Sequence, residues 1–165
     1  MRMVLLLRRG FVCLELDVPE IEPPEDDLHR KRWVRENKEV VLTELVRLLD
    51  ETGRVGNKSQ LLHDLWNREK RSGTALGEGV AIPHVRTLKV REPALGFARS
   101  TRGVEFGAPD GQPVHLFFLI VGPPYDDRVY LRVYRALGEL LQSTEARERL
   151  MSATSEGEVY QVLNT

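Results

Sequence analysis

The sequence predicts an α/β protein, a single domain whose mixed β-sheet is covered by helices on both faces. Three observations carry that expectation. Its 165 residues are one domain's worth of chain, enough to bury one core. The hydrophobic period changes along the chain in the order strand, two helices, several strands, then helices again. The run Leu116-Phe117-Phe118-Leu119-Ile120-Val121 is apolar at successive positions, as expected of a central strand covered on both sides. At 41% hydrophobic and 30% charged residues, the chain is neither a disordered tail nor a membrane protein by composition.

The opening Met1-Arg2-Met3-Val4-Leu5-Leu6-Leu7-Arg8-Arg9 has an apolar stretch too short for a secretory leader and is closed by arginines, so no signal peptide is expected. Gly10 to Val18 is β-branched and aromatic enough for a first strand. Pro19 to Asp27, with three prolines and five acidic residues, can continue no central strand and reads as a linker or exposed loop. The run His29-Arg30-Lys31-Arg32-Trp33-Val34-Arg35 sets an aromatic among cations; we read it as a solvated helix face neutralised by the acidic stretch before it. Residues 1–36 are thus expected to form a strand, a linker and a basic segment ahead of a domain at 37–165.

From Asn37 the pattern is helical, with Val41, Leu42, Leu45, Leu48 and Leu49 on one stripe and Gly53 as the stop. A second helix follows, with Asn57 as cap, Gln60 at the capping-box position and Leu61, Leu62, Leu65 and Trp66 on its apolar face. After Ser72-Gly73 come short strand candidates at Thr74–Leu76, Val80–Ile82 and Ala94–Ala98, then the strong strand Val114–Val121. Asp126 or Asp127 can cap a helix with the stripe Tyr130, Val133, Tyr134, Leu137, Leu140 and Leu141. Two shorter helices close the chain, the last opened by a capping box of Ser155 and Glu158.

Charge and cysteine content exclude several functions. Lys plus Arg number 24 against 25 Asp plus Glu, so no global field gathers nucleic acid or acidic lipid. No apolar run approaches the roughly 20 residues that cross a bilayer, so membrane insertion is not expected. The lone Cys13 rules out an intrachain disulfide and a multi-cysteine zinc site, which suits a reducing cytoplasm. There is no HExxH, GxSxG, GxxxxGK[ST] or GxGxxG pattern, so neither metal hydrolysis, a serine nucleophile, ATP nor NAD binding is expected by those routes.

Of the four histidines, His29 and His63 read as surface residues and His115 as a strand-end residue held in reserve. His84 differs because it ends Leu76-Gly77-Glu78-Gly79-Val80-Ala81-Ile82-Pro83-His84. Two glycines let the backbone turn sharply and come close to a partner. Pro83 fixes its own φ and holds Ile82 extended. An imidazole at such a strand end is well offered as a nucleophile, because its support loses little freedom on docking.

Arg68-Glu69 together with this segment resembles the enzyme IIA domains of the fructose/mannitol type in the bacterial phosphoenolpyruvate-dependent sugar phosphotransferase system, including the nitrogen-regulatory branch. The resemblance runs from about Asn37 to Leu163 and takes in Asp110-Gly111-Gln112-Pro113-Val114 and Ser155-Glu156-Gly157-Glu158-Val159-Tyr160. It implies a phosphocarrier of the phosphotransferase class. His84 would accept a phosphoryl group from a histidine-containing phosphocarrier protein and pass it to a IIB domain or hold it as a regulatory signal. Arg68 would stabilise the phosphate, and neither metal nor organic cofactor is implied. Many members carry a histidine followed by leucine after the Pro-containing loop, where this chain has Tyr130-Leu131. A phenol can hydrogen-bond to phosphate or imidazole, but it cannot be cationic. With no IIB or IIC portion in the sequence, the nitrogen-regulatory kind is the expected branch. The alternative is a non-enzymatic regulatory module that keeps the fold and holds its partner through the basic segment at 29–35.

Overall fold

A computed structural model describes residues 3–125 and 127–164. Its sheet is built around one strand, β6 (Val114–Gly122), whose apolar side chains alternate between two cores. Leu116, Phe118 and Ile120 enter one core; Phe117, Leu119 and Val121 enter the other. Burial on both faces is what an uninterrupted apolar run requires. The expected α/β architecture with helices on both faces is therefore what the chain adopts.

One edge of β6 pairs antiparallel with β5 (Ala94–Val104), and β5 pairs parallel with the short β1 (Phe11–Cys13). The other edge is shared by two short parallel strands in succession. β3 (Val80–Ala81) pairs with Leu116 and Phe117, and β4 (His84–Arg86) pairs with Ile120, Val121 and Gly122. β2 (Ala75–Gly77) adds antiparallel to β3. Between β3 and β4, Ile82 turns its N–H to the Thr74 carbonyl at 3.0 Å, and the Pro83 carbonyl accepts from Ile120 N at 3.0 Å. Proline has no N–H to lose at this break, so the chain steps aside and rejoins β6 with His84 in fixed register.

Helices α2 (Arg30–Asp50) and α3 (Lys58–Arg71) cover one face. On the other lie α1 (Met3–Arg9), α4 (Asp127–Leu140), α5 (Thr144–Ser152) and α6 (Glu156–Leu163). Several expectations are corrected. The opening apolar stretch is a helix whose Leu6 and Leu7 are buried in the core that Leu116, Phe118 and Ile120 enter. The first strand is three residues long rather than Gly10–Val18; beyond it the chain still follows β5, with Leu16 N on the Arg99 carbonyl at 2.7 Å. Phe11 lies flat on Gly96, where a Cβ would stand 2.3 Å from the ring, so β1 can approach β5 only over a glycine.

α2 begins at Arg30, not Asn37. Asp26 caps a preceding 3₁₀ turn (Asp27–His29) by accepting from His29 N, and the basic run then forms the first turns of the helix. From the acidic linker only Asp26 pairs with the run, through His29 Nδ1 at 2.9 Å, among the described residues; Arg30 pairs with Glu105 and Arg32 with Glu36. The linker also contributes a backbone acceptor, the Ile21 carbonyl, to Trp33 Nε1 at 2.8 Å. Two capping boxes are half formed. Asn57 accepts from Gln60 N as expected, but the Gln60 amide donates to Asp64. Ser155 accepts from Glu158 N, while Glu158 reaches back to Thr154 N. The Asp126 cap lies outside the described residues. Among the described residues no helix is long and apolar enough to cross a membrane.

Candidate functional site

His84 is the first residue of β4, at the edge of the sheet where the C-terminal end of α3 meets the first turns of α4. Its Nδ1 lies 2.7 Å from the Ile82 carbonyl oxygen. A carbonyl only accepts, so Nδ1 carries the proton and Nε2 keeps its lone pair. That lone pair faces Arg68, whose Nη2 donates to it at 3.2 Å. The second guanidinium arm, Nη1, donates to the Ser72 carbonyl at 2.7 Å, which holds the fork at the end of its own helix.

The ring is half-buried. Tyr134 meets it edge-on with centroids 4.7 Å apart, and Tyr130 lies tilted at 6.0 Å. Loss of water around the ring, reinforced by Arg68 and Arg86, pushes the His84 pKa below the ordinary histidine value of 6.5, although the Ile82 carbonyl pulls the other way. The neutral imidazole therefore persists into mildly acidic solution. We expect an NMR titration of the His84 ring to show a midpoint below 6.5. A midpoint at or above that value would contradict the desolvated site.

The loop before His84 is pinned from behind. Gly77, Glu78 and Gly79 all have positive φ, and Glu78, at 56°, has no glycine's freedom to excuse it. Its N–H is held by Asp110 Oδ2 at 2.9 Å, and the same carboxylate accepts from Gln112 N. These two backbone donors pull the Asp110 pKa below the carboxylate norm. The Gly79 carbonyl accepts from both His115 N and Leu116 N. His115 thus helps seat the turn, and its own Nδ1 is taken by the Ser100 carbonyl.

Glu69, next to Arg68, is a buried carboxylate. It accepts from Lys38 Nζ at 3.0 Å, from Thr74 N at 2.9 Å and from the Thr74 hydroxyl. It fastens the helix end that carries Arg68 to the strand that leads into the glycine turn.

Residues 31–165 match the family described as phosphoenolpyruvate-dependent sugar phosphotransferase system, EIIA 2. The chain belongs to this family. A fructose-specific EIIABC component of Bacillus subtilis is 38% identical over 127 residues, a match that covers 77% of this chain and 20% of that much longer protein. A fructose-specific EIIA component of Haloferax volcanii is 36% identical, covering 76% of this chain and 82% of that one. The crystal structure of the nitrogen regulatory protein IIA-Ntr from Neisseria meningitidis superposes with a TM-score of 0.75 at 30% identity, covering 94% of this chain and 93% of that chain. The IIA subunit in a complex of the mannitol enzyme IIA with phosphorylated IIB from Escherichia coli gives 0.64 at 26% identity, covering 76% and 86%. Sugar-specific and nitrogen-regulatory members thus both stand among its relatives.

Against this EIIA frame, the residues singled out in the sequence are brought together unevenly. His84 and Arg68 are hydrogen-bonded to each other. Tyr130 is a core residue, 4% exposed, in ring contact with His84. Burial, partly offset by Arg86 and Arg68, pushes its hydroxyl well above the ordinary tyrosine range, so it stays a neutral phenol. Arg86 and Tyr134 were not anticipated. Arg86 stands two residues past His84 with its guanidinium over the Tyr130 ring at 5.7 Å and bonded to Asp127 at 3.2 Å. Alternation along β4 could have placed Arg86 beside His84; Tyr134 was legible only as one more position on a helical stripe. Among the described residues no cluster of three metal-ligating side chains occurs.

Proposed function

We propose that His84 is the phosphoryl acceptor of this EIIA chain. In this reading the chain takes the group in the cytoplasm from a phosphohistidine of a histidine-containing phosphocarrier protein and passes it to a IIB domain or holds it as a regulatory signal. The observation that carries the reading is the pairing at the ring: Nδ1–H is committed to the Ile82 carbonyl, and the Nε2 lone pair faces Arg68. Nε2 attacks phosphorus while the N–P bond to the donor imidazole breaks on the opposite side, and the electron pair of that bond returns to the donor nitrogen. No base is needed, because the attacking nitrogen already lacks a proton. As Nε2 gives up its pair, the ring gains positive charge and its Nδ1–H becomes more acidic, which strengthens the bond to Ile82 just when the barrier is crossed. Arg68 then exchanges the ring nitrogen for an equatorial phosphoryl oxygen, the bidentate partner its planar fork suits best. Tyr130 remains the proposed stand-in for the second histidine of other members, a neutral phenol whose ring lies tilted beside that of His84.

Incubating the chain with phosphoenolpyruvate, enzyme I and the histidine carrier should give an acid-labile, base-stable label that mass spectrometry places on residue 84. No label, or a label on another residue, would remove His84 from this role. For Arg68→Ala we expect acceptance about a hundredfold slower in rapid-quench assays, the usual scale for losing one donor to a transition-state oxygen. The fold should persist, since Arg68 is half-exposed and Lys there should restore only part of the rate. An unchanged rate would show that Arg68 does not touch the phosphoryl group.

A further inference from the structure

Arg86 stands close to His84 but has no part in the transfer as proposed above. β4 runs His84-Val85-Arg86, and Val85 enters the core beneath α2 and α3, so His84 and Arg86 stand together on the opposite face. Tyr130 of α4 is the neighbour they share on that face. Its ring centroid lies 6.0 Å from that of the imidazole, and the Arg86 guanidinium lies 5.7 Å from it. Arg68 reaches the same imidazole from the end of α3. Two guanidinium groups thus approach one ring from two different elements, and the positive charge of each helps to hold the His84 pKa down.

A structural ion pair accounts poorly for Arg86. Asp127, at the start of α4, accepts from one of its arms at 3.2 Å, and both side chains are about half exposed. Exposed pairs of this kind contribute little, so Asp127 gives the guanidinium up readily to a stronger anion. A bound phosphoryl group is such an anion, with about two negative charges at neutral pH and oxygens that suit the arginine fork. Tyr130 cannot meet that charge, because burial keeps its phenol neutral. It offers instead a fixed ring against which the cation rests.

We propose that Arg86 is a second catalytic cation of this site: as the phosphoryl group arrives at Nε2, Arg86 leaves Asp127 and binds an equatorial oxygen that Arg68 does not hold. It supplies from β4 the positive charge that a phenol at position 130 cannot. The Nε2–P bond forms as the donor's N–P bond breaks, the donor nitrogen keeps the electron pair, and Arg86 exchanges no proton. This assignment rests on His84 being the acceptor.

The test is rapid-quench labelling of the intact chain at rising concentrations of the phosphorylated histidine carrier, comparing the parent with Arg86→Met, Arg86→Lys and Asp127→Asn. Arg86→Met keeps much of the length of an exposed side chain and removes its charge. Its maximal rate should fall about tenfold or more, toward the loss that follows removal of one donor to a transition-state oxygen. The carrier concentration at half-maximal rate should change little. Arg86→Lys restores the charge without the planar fork and should recover part of the loss. Asp127→Asn frees the guanidinium and should be labelled no more slowly than the parent. A parental rate in Arg86→Met overturns the proposal. So does a loss confined to the half-maximal concentration, which would make Arg86 a contact for the docked carrier. Equal losses in Arg86→Met and Asp127→Asn overturn it as well, because the ion pair and not the freed cation would then matter. If the parent takes no label on His84, the acceptor assignment fails and takes this proposal with it; a labelled parent beside an unimpaired Arg86→Met removes Arg86 alone.

Discussion

His84→Ala is expected to take phosphoryl acceptance to background while leaving the fold in place. The variant removes the only nitrogen in the site with a directed lone pair, and none of the other histidines is prepared to replace it. His29 is exposed and bonded to Asp26, and His63 is exposed and bonded to Asn67. His115 comes nearest in kind, because its Nδ1 is likewise fixed by a carbonyl, that of Ser100. Its ring, however, is turned to Gly103, with Nε2 3.0 Å from where a Cβ would stand on that residue, and no arginine donates to it among the described residues. In-line displacement between two proteins needs a donor for the moving charge as well as access; His115 has no such donor among the described residues. The structural cost of the substitution is moderate. It removes two hydrogen bonds, one to the Ile82 carbonyl and one from Arg68, and the ring contacts with Tyr134 and Tyr130, together about 2–3 kcal/mol. Residual label that disappears only on further replacement of His115 would move the acceptor there.

How much of this was legible beforehand depends on the kind of signal. β6 announced itself because a strand buried on both faces must be apolar at every position, and few other local structures ask for that. His84 stands out because the residues before it are chemically unusual, two glycines and a proline; Arg68 was singled out only through the family resemblance, which places an arginine just before a glutamate. The run at 29–35 was read as a solvated helix face, but its continuity with the helix from Asn37 was missed because it carries no such mark. Arg30 to Arg35 are mostly exposed, the first fully buried apolar residue of the helix is Val41, and periodicity cannot be read where nothing is buried. α1 escaped for a related reason. Seven residues are too few to display a helical period, and such a segment is helical only because Leu6 and Leu7 find a core to enter. The site's remaining members, Arg86, Tyr134 and Glu69, owe their roles to tertiary placement. A buried glutamate looks like any other glutamate until the three donors around it are seen.

Glu69 carries the other large effect. Glu69→Ala is expected to destabilise the protein by about 3 kcal/mol, the scale for breaking a buried charge pair by removing one partner, and to damage the site even in molecules that remain folded. The side chain is fully buried, and Lys38, its ionic partner, is only 15% exposed. Truncation therefore leaves an ammonium, the Thr74 N–H and the Thr74 hydroxyl without their acceptor, in a place water reaches poorly. The damage to the site follows from two adjacent links. Arg68 precedes Glu69 on the last turn of α3, so releasing the carboxylate loosens the guanidinium that faces Nε2. The Thr74 carbonyl accepts from Ile82 N at 3.0 Å, and the Ile82 carbonyl sets the tautomer of His84. Urea unfolding measures the first effect, and the rate of labelling, taken at a temperature where the variant is fully folded, measures the second. Replacing Lys38 with Met as well removes the stranded charge and should recover part of the stability. It should recover none of the rate, because the tie between the helix end and Thr74 is still missing. Recovery of both together would mean that Glu69 serves the fold alone and that Arg68 and Ile82 hold their positions without it.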